Sequence, residues 1–384
     1  MDNKNFFNVV VIDTINEVEK EKINSLSYDG FFTYEWFKTL EISKPLKVIP
    51  RYIAVYEEDD LIAFAPCFIE YNAQYSTVED NLKFIKILRR VGNRLGFFFT
   101  PPLVCYSPCS YHSSILLKKK YNDTIILNLI TKKIDDICKK EKIIFSSFSW
   151  VSEDDNLLIN NLENIGYSKI RSIQSSNLDI QWSNFDDYVA SLEKKVKKNI
   201  RREINNHKES GIIIEQEKDF GAISHILSKF HSNLFWKYNN RVSIFNTLFY
   251  EKLNEYMKDK VLLFIARKNN DIVGFSLILK HAKIFDLFIV GFNYENLTKT
   301  DFTYFNIAYY EPIKAAIEEG IVRIHFRGGA KRIKQRRGCK QEKIEMFVKC
   351  HNTLLRPVFV LYMKIVPIYK STRSLVSRSL RQWR

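Results

Sequence analysis

Two stretches of this chain read alike and lie about 210 residues apart. One is "PRYIAVYEEDDLIAFAPCFIEYN", starting at Pro50; the other is "KVLLFIARKNNDIVGFSLILKHAKIFDLFIVGFN", starting at Lys260. Each is an apolar run, a polar turn and a second apolar run, which predicts a β-hairpin. Each hairpin leads to a third strand, a helix and a further strand. The first helix falls at about 121–139, before "KIIFSSFSW"; the second at 302–319, closed by Gly320, before "IVRIHF". The order of elements repeats while residue identities do not, so the chain predicts two copies of one α/β unit. A chain of 384 residues, 46% hydrophobic, exceeds one core and can fill two. The expected units are 1–175 and 176–352, followed by a basic tail, 353–384. A long basic helix at 185–209, ended by Gly211, bridges them. A helix is also expected around Tyr34–Leu40, and "LKFIKILRRVGNRLGFFFTPPLVCY" reads as strand broken by Gly92 and Gly96.

The formal net charge is +15. Such an excess fits either a polyanionic partner or a solvated basic surface. The N-terminus lacks a signal-peptide pattern and no apolar run reaches the roughly 20 residues of a membrane span, so the expected address is the cytoplasm. The six cysteines are scattered, unlike a disulfide framework. Only Cys105, Cys109 and His112 approach metal-ligand spacing. No second ligand pair follows, so no metal is expected. The C-terminal "LLRPVFVLYMKIVPIYK" is apolar and then basic. It fits docking on the domain or rest on an anionic membrane surface.

Several segments resemble the peptidoglycan-biosynthesis-like (BioF-type) GNAT family, itself similar to the Fem-type transferases. They are "FFTYEWFKTLE", "GFFFTPPLV", "FDDYVASLEKKVKKNIRREINNHKESGIII", the second hairpin, "FNIAYYEPIKAAIEEG" and "GGAKRIKQRRG". The resemblance covers most of residues 30–350. It implies an α/β fold of two tandem GNAT-like (acyl-CoA N-acyltransferase) subdomains with mixed sheets. It implies transfer of an acyl or aminoacyl group to an amine of a peptide, amino sugar or cell-wall-like precursor. The donor would be acyl-CoA or aminoacyl-tRNA, acting as co-substrate with no tightly bound cofactor. Two features depart from the pattern. Arg332 and Ile333 stand where the family's closing loop has Glu-His. After the strand at 283–291, "GFNYENLTKTDF" lacks the R-x-x-G-x-G/A turn that seats the CoA pyrophosphate.

Acyl transfer to an amine passes through a tetrahedral oxyanion, so cations or N–H donors are expected where that charge develops. Lys334, Arg337 and Gly338 match the family's K-x-x-R-G, and Gly328 and Gly329 precede them as a hinge. The loop 328–338 is therefore expected to clamp a phosphate or oxyanion, with Lys334 nearest the reacting carbonyl and Arg337 on donor phosphate. On the basic helix Lys194, Lys198 and Arg201 share a face, beside Arg202. That face suits tRNA phosphates or a phosphorylated acceptor and equally an ordinary solvated helix. Glu311 and Tyr310 are candidate bases, with Tyr309, His231 and His281 behind them. Trp36 and Tyr34 fit either an acceptor pocket or core. The reading from another class is a non-catalytic GNAT-fold module that binds RNA or an anionic glycan.

Overall fold

The computed structural model describes residues 7–71, 83–94, 101–110, 115–121 and 124–365. His112, Gly96 and the tail beyond residue 365 lie outside the described residues.

The first half runs β1 (Phe7–Ile12), α1 (Lys20–Leu26), α2 (Tyr34–Ser43), β2 (Val48–Pro50), β3 (Tyr52–Glu57), β4 (Asp60–Ala65), β5 (Cys67–Glu70) and α3 (Lys83–Arg94). It continues with β6 (Leu103–Cys105), β7 (Leu116–Leu117), α4 (Thr124–Lys140), β8 (Phe145–Ser152), α5 (Asn156–Asn164) and β9 (Ser168–Asp179). The second half runs α6 (Phe185–Ser191), α7 (Lys194–Glu209), β10 (Ile213–Glu217), α8 (Ser224–Asn239), α9 (Thr247–Met257), β11 (Val261–Lys268), β12 (Asp271–His281) and β13 (Ile284–Phe292). Then Thr303–Phe305, a π turn at Asn306–Tyr310 and Glu311–Glu318 form one helical run, α10. β14 (Arg323–Arg327), α11 (Lys331–Arg336), β15 (Lys340–Cys350) and α12 (356–365) are the last described elements.

The chain divides into two compact units. One comprises Met1–Thr14, Lys47–Ser172 and Ile344–Arg384; the other comprises Ile15–Leu46 and Ile173–Lys343. In the first unit β1, β3 and β4 pair antiparallel, and so do β2, β5 and β6. β6 then runs parallel to β8 after a crossover that contains α4. Its core gathers Ile53, Ile62, Ile126, Ile130 and Phe148. In the second unit β10, β11, β12 and β13 pair antiparallel, and β13 runs parallel to β14 after the crossover through α10. Its core gathers Ile200, Phe264, Phe285, Tyr309 and Ile313. An antiparallel run followed by one parallel pair, with a helix in the crossover, occurs in both units. That is the repeat expected from the sequence.

Several expectations need correction. The boundary at 175/176 puts residues 15–46 in the first unit, yet they pack in the second. The cause is aromatic: Trp36, fully buried, meets Phe31, Phe249 and Phe288 edge to face at centroid distances of 5.0, 6.2 and 5.4 Å. Conversely, Ile344–Cys350 of β15 pairs with β8 in the first unit. Residues 83–94 are helix, not strand. Ile85 faces inward and Leu88, three residues on, is half-buried, while Ile87 and Val91 face out, which is helical spacing. The basic helix 185–209 is two helices, because Leu192 is extended. Gly211, at φ +71°, follows the second, as expected of a helix end. The loop 328–338 contains the short helix α11. Gly329 lies at φ +76° before it and Gly338 at φ +85° after it.

Candidate active site

The parallel pair of the second unit is short. β13 and β14 share three register pairs, Ile284–Arg323, Phe285–Ile324 and Asp286–His325, and then part. Both strands carry an extra residue just past that point. On β13, Leu287 and Ile289 face consecutive residues of β12, so Phe288 is the bulged residue. On β14, His325 and Arg327 face consecutive residues of β9, so Phe326 is the bulged residue. A bulge bends its strand and re-aims side chains. Two of them side by side split the sheet at its buried centre.

Charged groups sit at the split. His325 Nδ1 and Asp286 Oδ1 are 2.8 Å apart, and both residues are buried. The Arg327 guanidinium lies over the rings of Phe31 and Phe288, 5.1 and 5.6 Å from their centroids. Asp29 is 1% exposed; its Oδ1 accepts from Phe31 N at 2.7 Å, and its Oδ2 has no partner among the described residues. Burial pushes the Asp29 carboxyl well above the usual carboxylate range, and the charge of Asp286 adds to the push. None of Asp29, Asp286, His325 and Arg327 was singled out from the sequence. The available signal was a lone Asp in "IFDLFIVGF" and a lone His in "RIHF", ionisable residues inside apolar strands.

Lys334 reaches the same strand end from α11. Its Nζ donates to the carbonyls of Phe326, Arg327 and Gly328 at 2.6, 3.2 and 2.6 Å. Burial pulls its pKa down to about 8, while three carbonyl acceptors favour the ammonium. The ammonium expected at the reacting carbonyl is thus spent on holding the bulged end of β14. Arg337 is equally occupied. Nη2 donates to Glu203 Oε2 at 2.7 Å and to the Tyr310 hydroxyl at 2.9 Å, and the guanidinium lies 4.3 Å from the Phe305 ring centroid. Tyr310 also hydrogen-bonds Glu203, and burial raises its phenol pKa, the opposite of what a base needs. Arg337 is therefore an internal ion pair rather than an open phosphate fork. Next to it lies a small pocket of about 130 Å³ lined by residues that include Asn199, Glu203, Phe305, Arg336 and Arg337.

Glu203 belongs to α7, so Arg337, Tyr310 and the basic helix meet as one cluster. Lys194, Lys198, Arg201 and Arg202 are exposed on that helix, while Val196 and Ile200 face the core. The other candidates lie elsewhere. Glu311 pairs with Lys314 at 2.7 Å. Trp36 is core, and the Tyr34 hydroxyl reaches Asn16 at 3.2 Å. His231 stacks on Phe245, and burial lowers its pKa to about 4. His281 bonds the Ser27 carbonyl. The turn between β13 and α10 carries Asp301, whose carboxylate accepts from the amide and hydroxyl of Thr298 at 2.8 and 2.7 Å.

A twice-repeated α/β unit, each copy with one parallel strand pair after an antiparallel run, defines a tandem GNAT-type fold. Residues 12–364 match the FemAB-like family, described as peptidoglycan biosynthesis/recognition, and the chain belongs to that family. No curated protein matches it in sequence. Among solved structures it is similar to FemX, with a TM-score of 0.61 at 12% identity over 90% of this chain and 98% of that one. It is also similar to L-PGS from Bacillus licheniformis (TM-score 0.54, 10% identity, 93% and 98% covered). A tandem GNAT protein from the clavulanic acid biosynthesis pathway is similar too (TM-score 0.52, 8% identity, 90% and 99% covered). At these identities the likeness shows the fold.

Proposed function

We propose that this chain is a transferase that moves an aminoacyl or acyl group onto an amine of a peptide, amino sugar or cell-wall-like precursor. Family membership supports the reaction class. The observation that carries the reading is the Asp286–His325 pair at the split of β13 and β14. An Nδ1–H donated to Asp286 puts the basic lone pair of His325 on Nε2, suited to take the proton of an attacking amine. The amine nitrogen bonds to the acyl carbon, and the tetrahedral oxyanion collapses as the bond to the donor oxygen or sulfur breaks and that atom takes the proton held by His325. Arg327 adds positive potential beside that charge. Lys334 and Arg337 act one step back, by positioning β14 and α11.

Aminoacyl-tRNA is the donor we favour, acting as a co-substrate in the cytoplasm with no tightly bound cofactor. Asp301 puts a carboxylate in the turn where acyl-CoA enzymes seat pyrophosphate, and the exposed cations of α7 suit a polyanion. The non-catalytic reading draws on one observation, that both motif cations are consumed by internal partners. Mass spectrometry separates the readings. The protein is incubated with charged tRNA and, separately, with acetyl-CoA, each with a pool of amines. A product that carries one aminoacyl unit supports the proposal, and an acetylated product alone moves the donor to acyl-CoA. Tight tRNA binding with no product from either donor favours the binding module.

A further inference from the structure

The last described element of the first unit, α12, is a helix that is apolar on its outer side. In α12, Val358, Leu361 and Ile365 are 54, 58 and 53% exposed, and Leu354 just before it is 85% exposed. Their spacing of three and four residues puts them on one face. The opposite face holds the helix down, where Phe359, 1% exposed, packs on Phe145 at a centroid distance of 5.6 Å. Of the two fates open to this segment in the sequence, docking accounts for Phe359 and leaves the outer stripe in water.

The charge around the stripe says what covers it. Lys364 borders it on the same helix, and residues 353–384 hold seven cations (Arg356, Lys364, Lys370, Arg373, Arg378, Arg381 and Arg384) with no Asp or Glu. A second copy of the chain would bring those cations against their own kind. RNA would use the cations and leave Leu361 in water. An anionic lipid surface takes both, because acyl chains accept the aliphatic row and headgroups accept the cations. We infer that α12 is a membrane-surface docking helix that lies flat on anionic lipid through Leu354, Val358, Leu361 and Ile365, with Lys364 at the headgroups. No helix among the described residues is long and apolar enough to cross a membrane, so the contact is peripheral. The inference is independent of the transferase reading.

Full-length protein is tested by flotation with vesicles of phosphatidylglycerol and phosphatidylcholine in equal parts, and with phosphatidylcholine alone. The expected result is binding to the anionic vesicles that 0.5 M salt weakens, with at least tenfold weaker partitioning to the neutral ones. The Val358→Ser/Leu361→Ser variant should lose at least tenfold of the anionic binding without a change in melting, because both side chains are already exposed. A second variant, Leu361→Cys labelled with a polarity-sensitive dye, should shift to the blue on anionic vesicles only. Three outcomes overturn the inference. They are equal binding to both vesicles, binding unaffected by the serine substitutions, and a wild-type dimer that the serine variant makes monomeric while neither binds lipid.

Discussion

Asp286 and His325 are separated by 39 positions in sequence and by 2.8 Å between Oδ1 and Nδ1. They form the last register pair before β13 and β14 part, so the sheet itself brings the acid and the histidine together at the split. Asp286→Asn keeps the shape and removes the charge that fixes the imidazole tautomer. We expect a loss in kcat of about 100-fold or more with melting little changed, because His325 then lacks the carboxylate that orients it as the base. Steady-state kinetics on folded variant protein checks it; a kcat within twofold of wild type would remove the pair from the mechanism.

Asp29 yields a pH signature. Its folded pKa is raised above the unfolded value, so the folded state holds the proton more tightly. That contribution to stability is present below the unfolded pKa, near 4, and is lost as pH rises through the folded pKa. Asp29→Asn keeps the acceptor for Phe31 N and cannot ionise. The wild type should lose stability relative to the variant as pH rises through that window, with the difference smallest at low pH. Melting curves across pH 4–9 measure it. A variant uniformly less stable at every pH contradicts the assignment.

Lys334 and Lys331 differ in burial rather than in charge. Lys334→Met leaves buried carbonyls at the end of β14 without a donor, at about 1–3 kcal/mol for each unsatisfied group. It should lower the melting temperature and activity together. Lys331, exposed on α11, should be near neutral when changed to Ala. A Lys334→Met protein as stable as wild type yet unable to transfer would return this ammonium to the oxyanion.

For Glu203→Gln the expected loss is about 3–5 kcal/mol, because it leaves the buried Arg337 guanidinium without its carboxylate. Denaturant titration measures it. A change below 1 kcal/mol would mean the cluster is solvated and open to phosphate after all.

If α7 binds tRNA, affinity falls with salt by about 0.7–0.9 counterions per phosphate contact. Lys198→Ala/Arg201→Ala should flatten the slope of log K against log salt by that amount for each lost contact. A wild-type slope near zero would reject the tRNA donor.

The repeat was legible because a hairpin, its following strand and the crossover helix announce themselves locally through alternation and turn residues. The end of α7 was legible from Gly211. What escaped depended on distance. Residues 83–94 carry enough Ile, Leu and Val to read as strand, and only the inward positions of Ile85 and Leu88 mark a helix. The packing of Trp36 in the second unit is decided by Phe249 and Phe288, more than 200 positions away in sequence. Asp286 and His325 meet through a parallel register that the crossover sets. Lys334 and Arg337 were picked out as motif residues, while their burial and internal partners depend on the distant Phe326 carbonyl, Glu203 and Tyr310.

The most direct test of transfer at the β13–β14 split is single-turnover aminoacyl transfer from charged tRNA to the amine pool, followed by mass spectrometry, in wild type and His325→Gln. The account predicts one aminoacyl unit on the acceptor with wild-type protein and a rate at least about 100-fold lower in the variant at equal melting temperature. Equal rates in the two proteins would contradict it.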